Sequence, residues 1–125
     1  MGTKLSFLEC GYKKGRPMIT AKLSFNNVSR YFEFQIDTGA DFSLISKYHA
    51  LILGLKLSNA EIVQMELADC SNINVWKSEL KITIADSEFL IPIMITDAHV
   101  DPLMGRKGIF DKFDVTFKER DQKTI

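Results

Sequence analysis

Net charge is the first thing this chain lacks: its 125 residues set sixteen Lys and Arg against sixteen Asp and Glu. Holding nucleic acid requires a concentrated basic face, which this balance does not supply, so no nucleic-acid partner is expected. Cysteine is nearly absent. Cys10 and Cys70 cannot build a disulfide framework or a zinc site by themselves and read most simply as free thiols. Long apolar runs are missing too. Ala50-Leu51-Ile52-Leu53 and Phe89-Leu90-Ile91 are sized for a core and not for a bilayer, so no membrane partner is expected. Met1-Gly2-Thr3-Lys4-Leu5 leads into no apolar stretch of the kind that secretion signals carry. There is also no repeat, low-complexity tract or linker. These absences point to a cytoplasmic protein in which residues 1–125 form a single domain.

What is present is ordinary for a folded domain: 46% hydrophobic and 26% charged residues. Residues 18–25 and 30–36 alternate apolar and polar around Asn26-Asn27, the pattern of a β-hairpin with a short polar turn. Phe42-Ser43-Leu44-Ile45 reads as a short strand, and residues 46–54 as one or two helical turns that start on Ser46 and stop at Gly54. Further strands are expected over 62–67, 73–84 and 88–96, the last at a sheet edge or bent at Pro92, which has no N–H to give. Residues 105–112 read as a short helix and 113–117 as a final strand. Many short strands with one or two helical turns imply an all-β barrel or sandwich.

One segment carries chemistry. Asp37-Thr38-Gly39-Ala40-Asp41 follows an alternating strand, so a carboxylate sits where strand becomes loop, and Gly39 permits close backbone approach. Asp, Thr and Gly also favour plain turns, and a motif this short has that alternative. Two other segments stand beside it in the order of the chain: Arg16-Pro17 opening the first long strand, and Leu103-Met104-Gly105-Arg106 before the expected helix.

Together, from about Arg16 to Phe117, these motifs resemble the retropepsin-like aspartic proteases, the family of retroviral proteases and their cellular and prokaryotic relatives. The resemblance implies a closed β-barrel that is half of a pepsin-like bilobal fold, and an aspartic endopeptidase that needs no metal or cofactor. Amide hydrolysis by carboxylates takes two of them sharing one proton. The chain has one Asp-Thr-Gly, so the resemblance implies a homodimer in which two copies of Asp37 meet on a two-fold axis, with a peptide or protein as substrate. It further implies that Thr38 bonds across the dyad and that Gly39 and Ala40 support the loop. Asp41 would be ion-paired to Arg106 of its own subunit and Arg16 of the other, and Met104 would wall a side-chain pocket. Taken without the resemblance, the two arginines are solvated surface charges of little worth.

The flap is where the sequence departs. Its expected tip, Ala68-Asp69-Cys70-Ser71-Asn72, has no glycine, whereas retroviral flaps are glycine-rich. A dimeric peptide-binding module with weak catalysis is the alternative function, and a structural β-domain the third. Other residues carry less. Asp97, His99 and Asp101 alternate in a loop with no further metal ligand near in sequence. His49 lies in an apolar helical stretch and reads as structural, and Trp76 as packing at the base of the flap. Residues 104–108 lack the spacing and the Lys-Ser/Thr ending of a phosphate loop.

Overall fold

A computed structural model describes residues 8–56, 61–66 and 72–125. The alternating runs form antiparallel pairs. Strand β2 (Met18–Phe25) pairs with β3 (Val28–Ile36) along its whole length, turning at Asn26 with φ near 53°. Strands β6 (Asn72–Ile84) and β7 (Ser87–Thr96) pair in the same way, with β5 (Glu61–Glu66) on the outer side of β6. Strand β4 (Ser43–Ser46) runs parallel to β7, and the two-residue β8 (Leu103–Met104) lies between β3 and β4.

The sheet order is β2-β3-β8-β4-β7-β6-β5, and a further pairing of β2 with β6 closes it into a ring. Apolar residues at every second position point inward, where Phe34, Leu23, Leu80, Ile82, Ile91, Ile93 and Ile95 are fully buried. Each such side chain contributes about 1.5–3 kcal/mol by leaving water. A second sheet joins the ends of the described chain in the order β1 (Cys10–Gly11), β10 (Lys123–Thr124), β9 (Phe117–Lys118). Among the described residues, no helix is long and apolar enough to cross a membrane.

Three expectations change. Residues 105–112 are linked turns, not a helix: Gly108 takes φ near +80°, and the bonds made are those of separate turns, from Ile109 and Phe110 back to Arg106 and from Lys112 and Phe113 back to Ile109. Residues 113–116 form no strand; extended pairing begins only at Phe117, where β10 supplies a partner. Pro92 sits inside the sheet and not at its edge. It lies one residue before the β4 pairing starts at Ile93, so at that point β7 is paired on the β6 side alone.

Helix α1 (Lys47–Ile52) is short and held at its start by a reciprocal cap. Ser46 Oγ accepts the His49 N–H at 3.3 Å, while His49 Nδ1 accepts the Ser46 N–H at 3.1 Å and lies 2.7 Å from Ser46 Oγ. The ring also packs edge-on against Phe32, with centroids 5.3 Å apart. Nδ1 must be unprotonated to accept these bonds. Burial pushes the His49 pKa below its usual value, with Asp101 pulling weakly the other way.

A lowered folded pKa means that the unfolded chain takes up the proton first. Stability from this ring is therefore complete above the unfolded value near 6.5 and is lost as pH falls through the folded one. His49→Gln keeps an acceptor at the capping position without the titration. Thermal melts from about pH 8 to about pH 5 are expected to show the wild type losing more stability than His49→Gln. Parallel curves would show that the ring does not titrate against the fold.

Candidate active site

Asp37 is the first residue past β3, and its backbone is tied on both sides. Its N–H donates to the Met104 carbonyl at 3.0 Å, and its own carbonyl accepts the Ala40 N–H at 3.2 Å. The carboxylate is oriented by its own loop: Gly39 N–H donates to Asp37 Oδ1 at 2.9 Å. A Cβ at position 39 would stand 3.3 Å from that same oxygen, crowding the carboxylate, which is a local reason for glycine there. Asp37 is half-buried, while Thr38 and Gly39 are exposed at the head of the loop. A carboxylate held this way, at the open end of a strand, can accept a proton or bind a water.

A second loop packs beside the first. Arg106 N–H donates to the Ala40 carbonyl at 2.9 Å and Lys107 N–H to the Asp41 carbonyl at 2.8 Å. Gly105 is buried with its N–H on Ser43 Oγ at 3.1 Å. The structure thus brings Asp37, Thr38, Gly39, Ala40, Asp41 and Arg106 into one place. Arg16 stands near the foot of β3, where Pro17 accepts the Ile36 N–H at 3.0 Å. Its guanidinium is exposed and donates to Gln35 Oε1 at 3.2 Å.

Two expectations about this site are corrected. Asp41 and Arg106 form no ion pair within the chain: the ion pairs among the described residues join Lys13 to Glu33, Lys81 to Glu88 and Lys123 to Glu9. Backbone bonds already fix the two loops together, and both side chains are exposed, where such a pair gains little. The pocket that Met104 borders is shared with the C-terminal segment and does not include Asp37. Met104 is only 1% exposed and borders this partly open pocket of about 450 Å³ together with Ile19, Ile36, Ile84, Ile109 and Phe113. The period of β8 decides this, since Leu103 takes the half-buried face and leaves Met104 inward.

Of the expected flap tip, Ala68, Asp69, Cys70 and Ser71 lie outside the described residues, and Asn72 pairs with Glu66 at the start of β6. Trp76 packs partly buried on the core with the Lys47 ammonium 5.8 Å from its ring centre. Among the described residues, Asp97, His99 and Asp101 do not gather into a group able to hold a metal ion. Ser43 and the Gly105 N–H are parts of the site that sequence reasoning missed. The available signal was Ser43 itself, a hydroxyl within an apolar strand directly after the Asp-Thr-Gly loop.

No family model matches the sequence, and no curated protein matches it. Shape is more informative. The chain superimposes on the crystal structure of a retropepsin-like aspartic protease from Rickettsia conorii with a TM-score of 0.76, at 20% identity, over 98% of this chain and 100% of that one. The chain has the retropepsin-like fold. A second solved structure, EIAV protease in complex with an inhibitor, is similar with a TM-score of 0.53 and 18% identity, over 73% of this chain and 82% of that one. In the retropepsin-like fold of this chain, the Asp-Thr-Gly loop and the Gly-Arg loop come from distant parts of the sequence and meet where β8 enters between β3 and β4.

Proposed function

We propose that this chain, as a single domain over residues 1–125, is an aspartic endopeptidase active as a homodimer. The observation that carries the reading is the oriented Asp37 carboxylate, with Gly39 N–H on Oδ1, at the open end of β3 in a retropepsin-like fold. One chain supplies one such carboxylate, and hydrolysis of an amide by this chemistry takes two. Two copies bring their Asp37 side chains together around a single proton, because adjacent like charges cannot both ionise. The charged carboxylate takes a proton from water, whose oxygen adds to the peptide carbonyl carbon. The neutral one gives its proton to the carbonyl oxygen. The resulting diol then collapses, the C–N bond breaks, and a proton passes to the leaving nitrogen.

In this scheme Thr38, exposed at the head of the loop, bonds to the second copy, and the exposed Asp41 accepts Arg16 of that copy. Peptide lies extended across the two loops and pairs backbone to backbone. No metal or cofactor takes part in this scheme.

Dilution tests the shared site. Cleavage of a casein-like substrate per chain is expected to fall as the protein is diluted through its dimer-to-monomer transition, followed in parallel by sedimentation. Constant activity per chain through that transition would sink the shared site. A statine-type transition-state mimic that binds a chain showing no cleavage at any concentration would favour a peptide-binding module instead.

A further inference from the structure

The peptide unit between Met104 and Gly105 is held at both ends. Its carbonyl accepts the Asp37 N–H at 3.0 Å, and its N–H donates to Ser43 Oγ at 3.1 Å. In a trans peptide these two groups lie on opposite edges of one rigid plane, so turning one end turns the other. Ser43 is 0% exposed, so solvent does not stand ready to replace its hydroxyl. The plane cannot slide toward β4 either, since Gly105 already lies against the Phe42 backbone with no room for a Cβ.

We propose that Ser43 is a positioning residue for Asp37: its hydroxyl oxygen sets the Met104–Gly105 plane, and that plane sets the Asp37 backbone. The kinetic consequence rests on the peptidase reading, and the structural one does not. Hydrogen bonds in series polarise one another, so loss of the Ser43 acceptor also weakens the bond at the far end of the plane. Without Oγ, the buried Gly105 N–H has no partner, and the plane is released to turn in search of one. Placement matters because a misplacement of about 1 Å in reacting groups costs roughly a hundredfold in rate.

Amide hydrogen exchange reads the structural half. In Ser43→Ala, exchange at the Asp37 N–H is expected to accelerate on the order of tenfold beyond any change shared by the amides of the β6–β7 pair. Ser46→Ala is the control, because it also deletes a buried hydroxyl of β4, but one that caps α1. It is expected to lower stability without a selective change at Asp37. Kinetics reads the other half. Ser43→Ala is expected to lose at least about tenfold in kcat with KM held and with displaced limbs in the pH–rate profile, and Ser43→Thr, which returns the oxygen, to recover both.

Should Ser43→Ala not fold, Ser43→Cys keeps the size with a weak acceptor and is measured in the same two ways. Asp37 exchange that rises no more than that of the β6–β7 amides would make Ser43 an ordinary core residue and overturn the proposal. So would a kcat and pH profile unchanged despite faster exchange. Selective exchange in a chain whose wild type cleaves nothing would keep Ser43 as the support of Asp37 while the peptidase reading fails.

Discussion

Asp37→Asn is expected to abolish hydrolysis and to leave the fold in place. Asparagine keeps an oxygen to accept the Gly39 N–H that holds Asp37 Oδ1 at 2.9 Å, so the loop loses no bond. What it removes is the proton-accepting group, and in a homodimer it removes both copies at once. Loss of a general base alone costs on the order of 10²–10⁴ in rate, and here the proton donor disappears with it. The measurement is cleavage of a casein-like substrate by purified wild type and variant, with melting curves to show that both are folded. A folded Asp37→Asn chain that retains more than about 1% of wild-type activity would assign the chemistry to another residue.

Gly105→Ala is expected to have the largest effect on stability. A Cβ at this position would fall 2.4 Å from the carbonyl carbon and oxygen of Phe42 and 2.9 Å from its nitrogen. These are backbone atoms and cannot rotate away as a side chain end does. The loops must therefore separate, which stretches the Gly105 N–H bond to Ser43 and the bonds from Arg106 and Lys107 to Ala40 and Asp41. Overpacking that displaces backbone costs about 3 kcal/mol or more, a large share of the roughly 5–15 kcal/mol that holds a domain folded. Gly11→Ala is the comparison, since nothing lies within 4 Å of its added carbon. Denaturant midpoints of the two variants measure the difference. A Gly105→Ala chain within about 1 kcal/mol of wild type would mean that the contact with Phe42 yields easily.

The strands were legible because their signal is local. Residues 18–25 alternate over a whole strand, and Asn26-Asn27 marks the turn, so β2 and β3 emerged with only the start of β3 two residues early. The Asp37 loop stood out for a different reason: alone it also suits a plain turn, and only its order along the chain with Arg16-Pro17 and Leu103-Met104-Gly105-Arg106 set it apart. The turns at 105–112 were not, because the apolar spacing there suits a helix and only the backbone angle at Gly108 forbids one. Alternation sets Leu103 and Met104 on opposite faces of β8, but a strand of two residues carries no pattern of its own to say which face is inward. The role of Ser43 is more distant still. Its partner, Gly105, lies 62 residues away, and a hydroxyl in a strand carries no mark of an amide it will meet only after folding.

The insertion of β8 between β3 and β4 also sets a clock. Gln35 pairs with Leu103, and Ile36 with Met104, so the Asp37 loop leaves the ribosome well ahead of the segment that anchors it. At about 5–20 residues per second, that interval is several seconds. Through it, Asp37 has no Met104 carbonyl to hold its amide, and Ala40 and Asp41 have no amides from Arg106 and Lys107. The loop is thus complete in sequence several seconds before it is held in place, and its anchors arrive only with the last fifth of the chain.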